Sequence, residues 1–404
     1  MRSNVLDKKA AKAFNKGYQE HRAGELAAAQ EHYEEVLHRC PRHLDANYLL
    51  GTLLIQRGRL DDALKYLLLA GNLAPDSAMV CNNLGNVYLA KEDVDRALQY
   101  YQRAVALAPN LMEAHANLVR LYSETERLDE AIQHARRVAE LAPEEAKHPR
   151  ALGMLLLRAR RWTEAAESFR RALEMGVLDE AVIRHFLDAM EGRTPAVAPR
   201  EYARGLFDEY SERFEEQLTK HLEYKTPVML REAVDAVCGP GRQFANAVDL
   251  GCGTGLSGEA FAGRVGRLTG IDVSPRMIDL ARAKGGGYTD LRCGDIVDEL
   301  LASNDRFDLL IAADVLVYVG ELAALFAAVR QRATPQAVFT FSTELSADAD
   351  FILQPTVRYA HSERYVQLLA ERHGFQVANM SKVQLRKNYE HWIEGNIWTL
   401  TLPS

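Results

Sequence analysis

Apolar positions in the first half of the chain follow helical spacing, and the pattern repeats every 34 residues between residues 10 and 177. Small residues in this pattern predict close contact between two helices. Each proline predicts a helix end, because proline lacks an N–H and clashes with the preceding turn. Four columns mark the repeat: prolines Pro41, Pro75, Pro109 and Pro143; alanines Ala29, Ala63, Ala97, Ala131 and Ala165; glycines Gly17, Gly51, Gly85 and Gly153, interrupted by Val119; and aromatics Tyr33, Tyr101 and Phe169, interrupted by Leu67 and Ala135.

The period and the residue types of these columns resemble tetratricopeptide (TPR) repeats. A single helical hairpin of this kind cannot bury its apolar face, so several hairpins must stack. The sequence therefore predicts an N-terminal TPR α-solenoid of about five repeats. Residues 178–190 have the pattern of one more helix, which we interpret as the cap of the solenoid.

A curved stack of hairpins offers a concave surface on which an extended peptide can lie. Polar residues follow the predicted inner helices, and an asparagine side chain can both donate to and accept from a peptide backbone. These features favour a peptide or protein partner, whereas exposed polar residues on a spacer or dimerisation arm would give the same pattern. The candidates are Asn47, Asn82, Asn83, Asn86, His115 and Asn117.

The second half changes to short apolar runs, each followed by an acidic residue. The run Phe244–Leu250 includes Asp249 and leads into a glycine-rich turn and a helix start. Later runs end at Asp272, Asp295 and Asp314. Each acid alone could be a simple turn former, but four in order predict a parallel sheet with a binding edge.

Two interpretations fit the glycine turn. The segment Gly253–Gly258 matches the dinucleotide pattern GxGxxG, which by itself is weak and would indicate a nicotinamide enzyme. The longer run Asp-Leu-Gly-Cys-Gly-Thr-Gly at 249–255 resembles the first motif of class I S-adenosylmethionine (SAM) methyltransferases. The run Gly-Ile-Asp-Val-Ser-Pro-Arg-Met at 270–277 resembles the following part of that family.

The resemblance implies a Rossmann-like domain of seven strands, one of them antiparallel, with SAM as cofactor. It implies that the first motif holds the amino-acid end of SAM, that Asp272 binds the ribose hydroxyls, and that Asp295 and Ile296 contact the adenine. The predicted cofactor residues are Asp249, Gly251, Cys252, Gly253, Thr254, Gly255, Asp272, Val273, Met277, Gly294, Asp295, Ile296, Asp314 and Tyr210.

Residues 202–224 carry aromatic side chains at helical spacing directly before this domain, among them Phe207, Tyr210 and Phe214. Such residues are usually core, but a helical lid that excludes water from the cofactor is the sharper interpretation. The runs at 206–214, 222–227, 313–320, 341–344 and 358–366 are similar to methyltransferases that carry N-terminal TPR repeats. This resemblance spans essentially the whole chain.

The candidate catalytic residues follow the fourth and fifth strands. His361 is the first candidate for a general base, because histidine titrates near neutral pH; a histidine that only caps the next helix is the alternative. Tyr318, Glu344 and Tyr359 are further candidates, although Tyr318 can simply shape the pocket and Glu344 can simply form a turn. Arg386 is more simply structural, yet it could hold an anionic substrate.

Composition narrows the partners and the location. The net charge of −7 disfavours binding to bulk nucleic acid or to anionic membranes. Five cysteines are scattered without CxxC spacing, which fits a reducing compartment and argues against a metal site. No apolar run has the length of a signal peptide or a membrane span, so the expected location is cytoplasmic.

The expected architecture is α plus α/β: a TPR domain over residues 1–190, a linker and lid over 191–228, and a methyltransferase domain over 229–404. The expected function is methyl transfer to an O or N acceptor, with the TPR arm recruiting a peptide, protein or carrier-bound substrate. One alternative is a small-molecule methyltransferase whose arm only scaffolds or dimerises. Another is an interaction protein that senses SAM without turnover.

Overall fold

The computed structural model describes residues 7–210, 223–347, 349–388 and 391–403. The chain divides into two compact units, Met1–Val177 and Leu178–Ser404. The division assigns residues 178–190 to the second unit, whereas the sequence predicted them to cap the solenoid. Among the described residues, no helix is both long enough and apolar enough to cross a bilayer.

The first unit consists of helices that pack as consecutive hairpins, α1 with α2, α3 with α4, and so on to α9 with α10. Each second helix also contacts the first helix of the next hairpin, so the repeats share a continuous core. The helices are α1 Lys8–Arg22, α2 Leu26–Arg39, α3 Leu44–Gln56, α4 Leu60–Leu73, α5 Ala78–Ala90, α6 Val94–Leu107, α7 Met112–Glu124, α8 Leu128–Leu141, α9 Lys147–Arg158 and α10 Trp162–Glu174.

The glycine and aromatic columns of the repeat turn out to be the two sides of one contact. A Cβ placed on Gly85 would lie 2.5 Å from the ring of Tyr101, and one on Gly153 would lie 2.5 Å from the ring of Phe169. The glycine therefore exists in these repeats because the large side chain of the paired helix occupies the space of a Cβ. This complementarity explains why the fourth repeat has Val119 and Ala135, with the large and small residues exchanged.

Most of the polar residues predicted to bind a peptide make hydrogen bonds within the repeats instead. The Nδ2 of Asn47 donates to the carbonyls of Pro41 at 3.0 Å and His43 at 2.8 Å. His115, two repeats later, makes the equivalent contact from Nε2 to the carbonyl of Pro109 at 3.1 Å. Both side chains are buried, so they hold the preceding loop rather than face an open groove.

The asparagines of the next helices bind one another. Asn117 Nδ2 donates to the side-chain oxygens of Asn82 at 2.9 Å and Asn86 at 3.1 Å. Asn83 Nδ2 donates to the hydroxyl of Thr52 at 2.9 Å. These contacts tie three successive repeats together through their inner helices and occupy donors that a bound peptide would otherwise use.

The second unit is a sheet with helices on both faces. Its helices are α11 Glu180–Met190, α12 Arg200–Tyr210, α13 Thr226–Cys238, α14 Leu256–Ala260, α15 Pro275–Lys284, α16 Ile296–Ala302, α17 Ala323–Arg332 and α18 Glu363–Arg372, with a short 3-10 helix at Leu316–Tyr318. Its strands are β1 Phe244–Leu250, β2 Val265–Asp272, β3 Asp290–Cys293, β4 Phe307–Ala312, β5 Ala333–Leu345, β6 Phe351–Leu353, β7 Tyr359–His361, β8 Gln376–Asn388 and β9 His391–Thr401.

Strands β3, β2, β1, β4 and β5 are parallel and adjacent in that order. Strand β9 runs antiparallel to β5 and carries β8 on its other side. Clusters of buried apolar residues cover both faces of the sheet. Burial on both faces is the reason that these strands read as continuous apolar runs in the sequence.

The described sheet has nine strands, not the seven expected, because the short hairpin β6–β7 joins it. Strand β5 is 13 residues long and extends past its last pair with β4, Ala312 with Phe341. The part of β5 beyond β4 then pairs with β7 through Glu344 with Ala360 and Leu345 with His361. Runs of three residues are too short to be recognised from alternation of polar and apolar positions.

Candidate active site

A cavity of about 380 Å³ lies at the carboxyl ends of the parallel strands of the second unit. This is the edge at which open parallel sheets bind ligands, and the volume suits a molecule of cofactor size. On one side the wall consists of the glycine turn and the strand-end acids. The residues of this side are Gly251, Cys252, Gly253, Thr254, Leu256, Ser257, Asp272, Val273, Gly294, Asp295 and Ile296.

The glycine turn needs its glycines for backbone conformation and for space. Gly251, Gly253 and Gly255 have φ angles of 74°, 52° and 97°, a region that side chains with a Cβ disfavour. A Cβ on Gly251 would also lie 2.5 Å from Cγ2 of Val315. The turn therefore brings bare backbone to the cavity wall at Gly251 and Gly253. Gly255 does not line the cavity and instead begins helix α14.

Asp272 connects the end of β2 to this turn. Its Oδ2 accepts a hydrogen bond from the backbone N–H of Gly253 at 2.9 Å, and its Oδ1 accepts from Ser274 at 2.9 Å. Each carboxylate oxygen has a second lone pair. Because Asp272 also lines the cavity, it can fix the turn and still accept from hydroxyl groups of a ligand.

Asp249 lies behind the turn rather than in the cavity. It is fully buried, and its Oδ2 accepts a hydrogen bond from the hydroxyl of Tyr288 at 2.7 Å. Burial raises the pKa of Asp249 to about 7, against the opposing effect of hydrogen bonds from Tyr288 and Ser257. Its position fits support of the glycine turn better than direct contact with the amino-acid end of SAM.

Asp295, the acid after β3, both caps a helix and lines the cavity, although these roles were expected to be alternatives. Asp295 is the N-cap of α16, where Oδ1 accepts from the backbone of Val297 at 2.9 Å and Asp298 at 3.1 Å. It also lines the cavity beside Gly294 and Ile296. Met277, predicted to contact the cofactor, is completely buried beneath the N-terminus of α15 and does not line the cavity.

On the other side of the cavity, buried ion pairs join the ends of β4, β5 and β8. The guanidinium of Arg386, of which only 2% is exposed, contacts the carboxylates of both Asp314 and Glu344. Arg358 adds a longer ion pair to Glu344 at 3.8 Å. Arg358, Arg386 and Asp314 line the cavity, whereas Glu344 lies behind them. The two arginines and the two acids balance in charge.

His361 is not at the cavity. The side chain is completely buried, and its Nε2 lies 3.0 Å from the carbonyl of Val319 and 2.9 Å from that of Gly320. Burial lowers the pKa of His361 to about 4. A buried, neutral histidine that holds a loop does not fit the predicted role of a general base.

The two candidate catalytic tyrosines differ in whether they reach the cavity. Tyr318 lines the cavity, and its ring meets that of Phe207 edge-on at 5.2 Å between centroids. Tyr359 is buried away from the cavity and donates its hydroxyl to the carbonyl of Pro195 at 2.9 Å. Tyr210 ends helix α12, and its side chain lies outside the part of the chain that the structure describes, as does Phe214.

Residues 194–200, which we call the strap, were predicted to be a linker but form a wall of the cavity. Leu353 donates its N–H to Thr194 at 3.2 Å, and Glu321 donates to the carbonyl of Ala196 at 2.8 Å. A Cβ on Gly320 would lie 2.6 Å from that same carbonyl, so a glycine is needed there. Prolines gave this segment the composition of a linker, yet its hydroxyl and carbonyl oxygens accept hydrogen bonds from the domain.

Helix α12 continues the strap over the same opening. Ala203 and Phe207 line the cavity, and Tyr202 donates its hydroxyl to the carbonyl of Val357 at 2.9 Å. The described half of the predicted lid is thus packed over the site.

Comparison with known families agrees with this geometry. Residues 247–336 match the methyltransferase domain family, and residues 20–80, 78–111 and 116–180 match tetratricopeptide repeat families. The second unit carries a methyltransferase domain. The repeats and the domain predicted from the sequence are therefore confirmed.

Individual relatives match only parts of the methyltransferase domain and its surroundings. Nodulation protein S of Bradyrhizobium diazoefficiens is 30% identical over 86 residues, which are 21% of this chain and 41% of the relative. Magnesium-protoporphyrin O-methyltransferase of Rhodobacter capsulatus is 30% identical over 145 residues, 35% of this chain and 60% of the relative. This chain spans about two fifths of the length of the first curated relatives it matches, 36% to 41%.

Among solved structures, the N-methyltransferase NodS from Bradyrhizobium japonicum WM9 is 20% identical and aligns over 43% of this chain and 94% of that chain, with a TM-score of 0.35.

Three parts of the methyltransferase site were not predicted from the sequence. Tyr288, which joins Asp249 to the backbone N–H of Gly258 at 3.2 Å, was not among the predicted site residues. Arg358 entered only as part of a resembling motif, and the strap was interpreted as a linker.

Proposed function

We propose that the methyltransferase domain binds SAM in this cavity and transfers its methyl group to an O or N acceptor. The observation that carries the proposal is the meeting of the glycine turn, Asp272 and Asp295 on one wall of the cavity. Asp272 would accept hydrogen bonds from the ribose hydroxyls. Asp295 would face the adenine amino group with Ile296 against the ring, and the bare backbone at Gly251 and Gly253 would hold the amino-acid end.

The domain matches of this chain support the same reaction class. Residues 247–336 match the methyltransferase domain family, and the relative matched over 145 residues is an O-methyltransferase. The nicotinamide alternative rests on the GxGxxG spacing alone. In the proposed site, Asp272 would bind a ribose in either reaction, and the match of residues 247–336 to the methyltransferase domain family favours SAM.

SAM, when bound, supplies a methyl group that is already activated on a sulfonium. The residues that line the cavity would hold an acceptor so that its lone pair could bond to the methyl carbon as the carbon–sulfur bond breaks, with the electron pair of the broken bond passing to sulfur. A proton leaves the acceptor if the acceptor carried one. The residues of the site mainly align the reactants and exclude water, because an in-line displacement depends on geometry.

The chain's own residues divide into two groups in this proposal. Tyr318 and Asp314 line the acceptor side and can contact the acceptor. His361, Tyr359 and Glu344 act as positioning residues: His361 holds the Val319–Gly320 loop, Tyr359 holds the strap, and Glu344 holds Arg386. No general base is required if the acceptor is already deprotonated at the working pH.

For the TPR unit we propose a protein or peptide partner. The support is the family match of the repeats and the general use of such solenoids as binding surfaces. Because Asn47, Asn83, His115 and Asn117 bind within the repeats, recognition would fall to other exposed residues. An arm that only scaffolds or dimerises is the alternative, and a truncated chain that begins at residue 178 separates the two once an acceptor is known.

Calorimetric titration of the purified chain tests the cofactor. We expect saturable binding of SAM and of S-adenosylhomocysteine, and no binding of NADH. Binding of NADH alone would overturn the proposal in favour of a nicotinamide enzyme. Binding of SAM by a chain that never transfers its methyl group to any acceptor would instead favour a SAM sensor.

A further inference from the structure

The guanidinium of Arg358 lies at the cavity and makes few contacts with the rest of the domain. Its side chain is 27% exposed, and within the described residues its one ion pair is the 3.8 Å contact to Glu344. A guanidinium carries five N–H donors in a rigid fork that matches a carboxylate or phosphate. Within the described part of the chain, the guanidinium of Arg358 makes this ion pair and no hydrogen bond.

The acid nearest to Arg358 already has a partner. Glu344 is in close contact with Arg386, which also holds Asp314, so both acids have a close partner in Arg386, and Arg358 supplies the second positive charge of the cluster from a longer distance. If Arg358 served only to neutralise Glu344, a closer and more buried contact would be expected, as Arg386 shows. The N–H donors of Arg358 are therefore available to a group that enters the cavity.

Aromatic side chains lie close to this charge. Tyr202 donates to the carbonyl of Val357, next to Arg358, and its ring centroid lies 6.3 Å from that of Tyr318. Tyr318 in turn meets Phe207, and both line the cavity. The acceptor side thus combines available guanidinium donors with two aromatic faces.

We propose that the methyl acceptor is an anion, and that Arg358 binds its carboxylate or phosphate group while its apolar body packs against Tyr318 and Phe207. This inference rests on the proposed function, since it names the chemistry of the acceptor at the same site. An anion on the acceptor side is also attracted by the sulfonium.

The carboxylate of SAM itself is the other possible source of an anion for Arg358. The same chemistry would then belong to the cofactor, and the affinity for S-adenosylhomocysteine would depend on Arg358. The experiment must therefore measure cofactor binding and acceptor binding separately.

The test uses the full chain saturated with S-adenosylhomocysteine, and benzoate, phenyl phosphate and benzamide as probes. Benzoate and benzamide share a ring and differ in charge. Dissociation constants are measured by ligand-detected NMR for the wild type, Arg358→Gln, Arg358→Lys and the control Arg330→Gln. Arg330 lies on α17 outside the cavity, so its substitution removes the same charge elsewhere.

We expect at least one anionic probe to saturate the wild type and to bind about tenfold more weakly to Arg358→Gln, which is the loss of one charge-assisted contact. Arg358→Lys should fall between them, since it keeps the charge and loses the fork. Benzamide should not distinguish the variants, Arg330→Gln should behave as the wild type, and the affinity for S-adenosylhomocysteine should stay within about twofold. Thermal melts confirm that each variant is folded.

Three outcomes overturn the inference: no anionic probe binds the wild type, the probes bind Arg358→Gln as well as the wild type, or Arg358→Gln loses its affinity for S-adenosylhomocysteine. The last result assigns Arg358 to the cofactor. If the wild type does not bind S-adenosylhomocysteine at all, the proposed function itself fails, which the calorimetric arm shows before any probe is added.

Discussion

The carboxylate of Asp272 accepts a hydrogen bond from the backbone N–H of Gly253 at 2.9 Å, which joins the end of the second strand to the turn after the first. One side chain thus shapes the turn and faces the cavity. A substitution of Asp272 therefore changes both the support of the glycine turn and the lining of the cavity.

We predict that Asp272→Ala lowers SAM affinity by about 100-fold or more, because hydrogen bonds to a charged group contribute about 1.5–3 kcal/mol each. Asp272→Asn keeps one acceptor oxygen and should lose about tenfold. Isothermal titration measures both. Asp279→Ala is the control, since Asp279 is exposed and forms an ion pair with Arg282 on the same helix. Undiminished binding by Asp272→Ala would contradict the assigned role.

The glycine turn offers a comparison between steric clash and backbone strain. Gly251→Ala should destabilise the domain and weaken SAM binding, because its Cβ meets Val315 at 2.5 Å and its φ is 74°. Gly253→Ala has no neighbouring atom within 4 Å, so it should lose only about 1–2 kcal/mol from strain. Adding Val315→Ala should rescue Gly251→Ala in part and leave Gly253→Ala unchanged. Urea denaturation measures the free energy of unfolding of each glycine variant with and without Val315→Ala. An equal loss of stability in Gly251→Ala and Gly253→Ala would contradict the steric argument.

His361 makes the stability of the domain depend on pH in a defined direction. Its folded pKa of about 4 lies below the ordinary value of 6.5, so the fold favours the neutral ring. The stability is fully present above pH 6.5 and is lost as the pH falls toward 4, up to about 3 kcal/mol for this group.

The variant His361→Gln can still donate to the Val319–Gly320 loop and does not titrate. Its free energy of unfolding should therefore fall less than that of the wild type between pH 7 and pH 4.5, while SAM affinity at pH 8 is retained. Parallel pH slopes for the two proteins would show that His361 is not the titrating group. His38→Gln serves as a control, because His38 is an exposed histidine in the last turn of α2 in the TPR unit.

The exchanged pair in the fourth repeat predicts a compensating double substitution. Ala135→Tyr alone should destabilise the TPR unit by about 1–3 kcal/mol, since the ring would meet Val119 where other repeats have glycine. Val119→Gly alone should destabilise by about 1 kcal/mol or more, because glycine disfavours a helix and leaves a cavity. The double variant should recover most of the loss, since it restores the Gly85–Tyr101 arrangement. Additive losses in thermal denaturation would show that the two positions are not in contact.

The amino-acid sequence by itself determined the elements whose signals are local. The 34-residue columns located the helical repeats, because each hairpin buries the same positions in the same way. The run Phe244–Leu250 is a strand with the bounds expected, and the acids at 272, 295 and 314 stand at one edge of the sheet because the carboxyl ends of parallel strands share that edge.

Only the tertiary structure decided which side chains reach the cavity. His361 and Asp249 looked like site residues, yet both are completely buried, and burial depends on neighbours far along the chain. Tyr359 finds its partner at Pro195 and Leu353 finds Thr194, across more than 150 residues in each case. No local pattern encodes such contacts, so the strap, the hairpin β6–β7 and the available donors of Arg358 became visible only once the chain was folded.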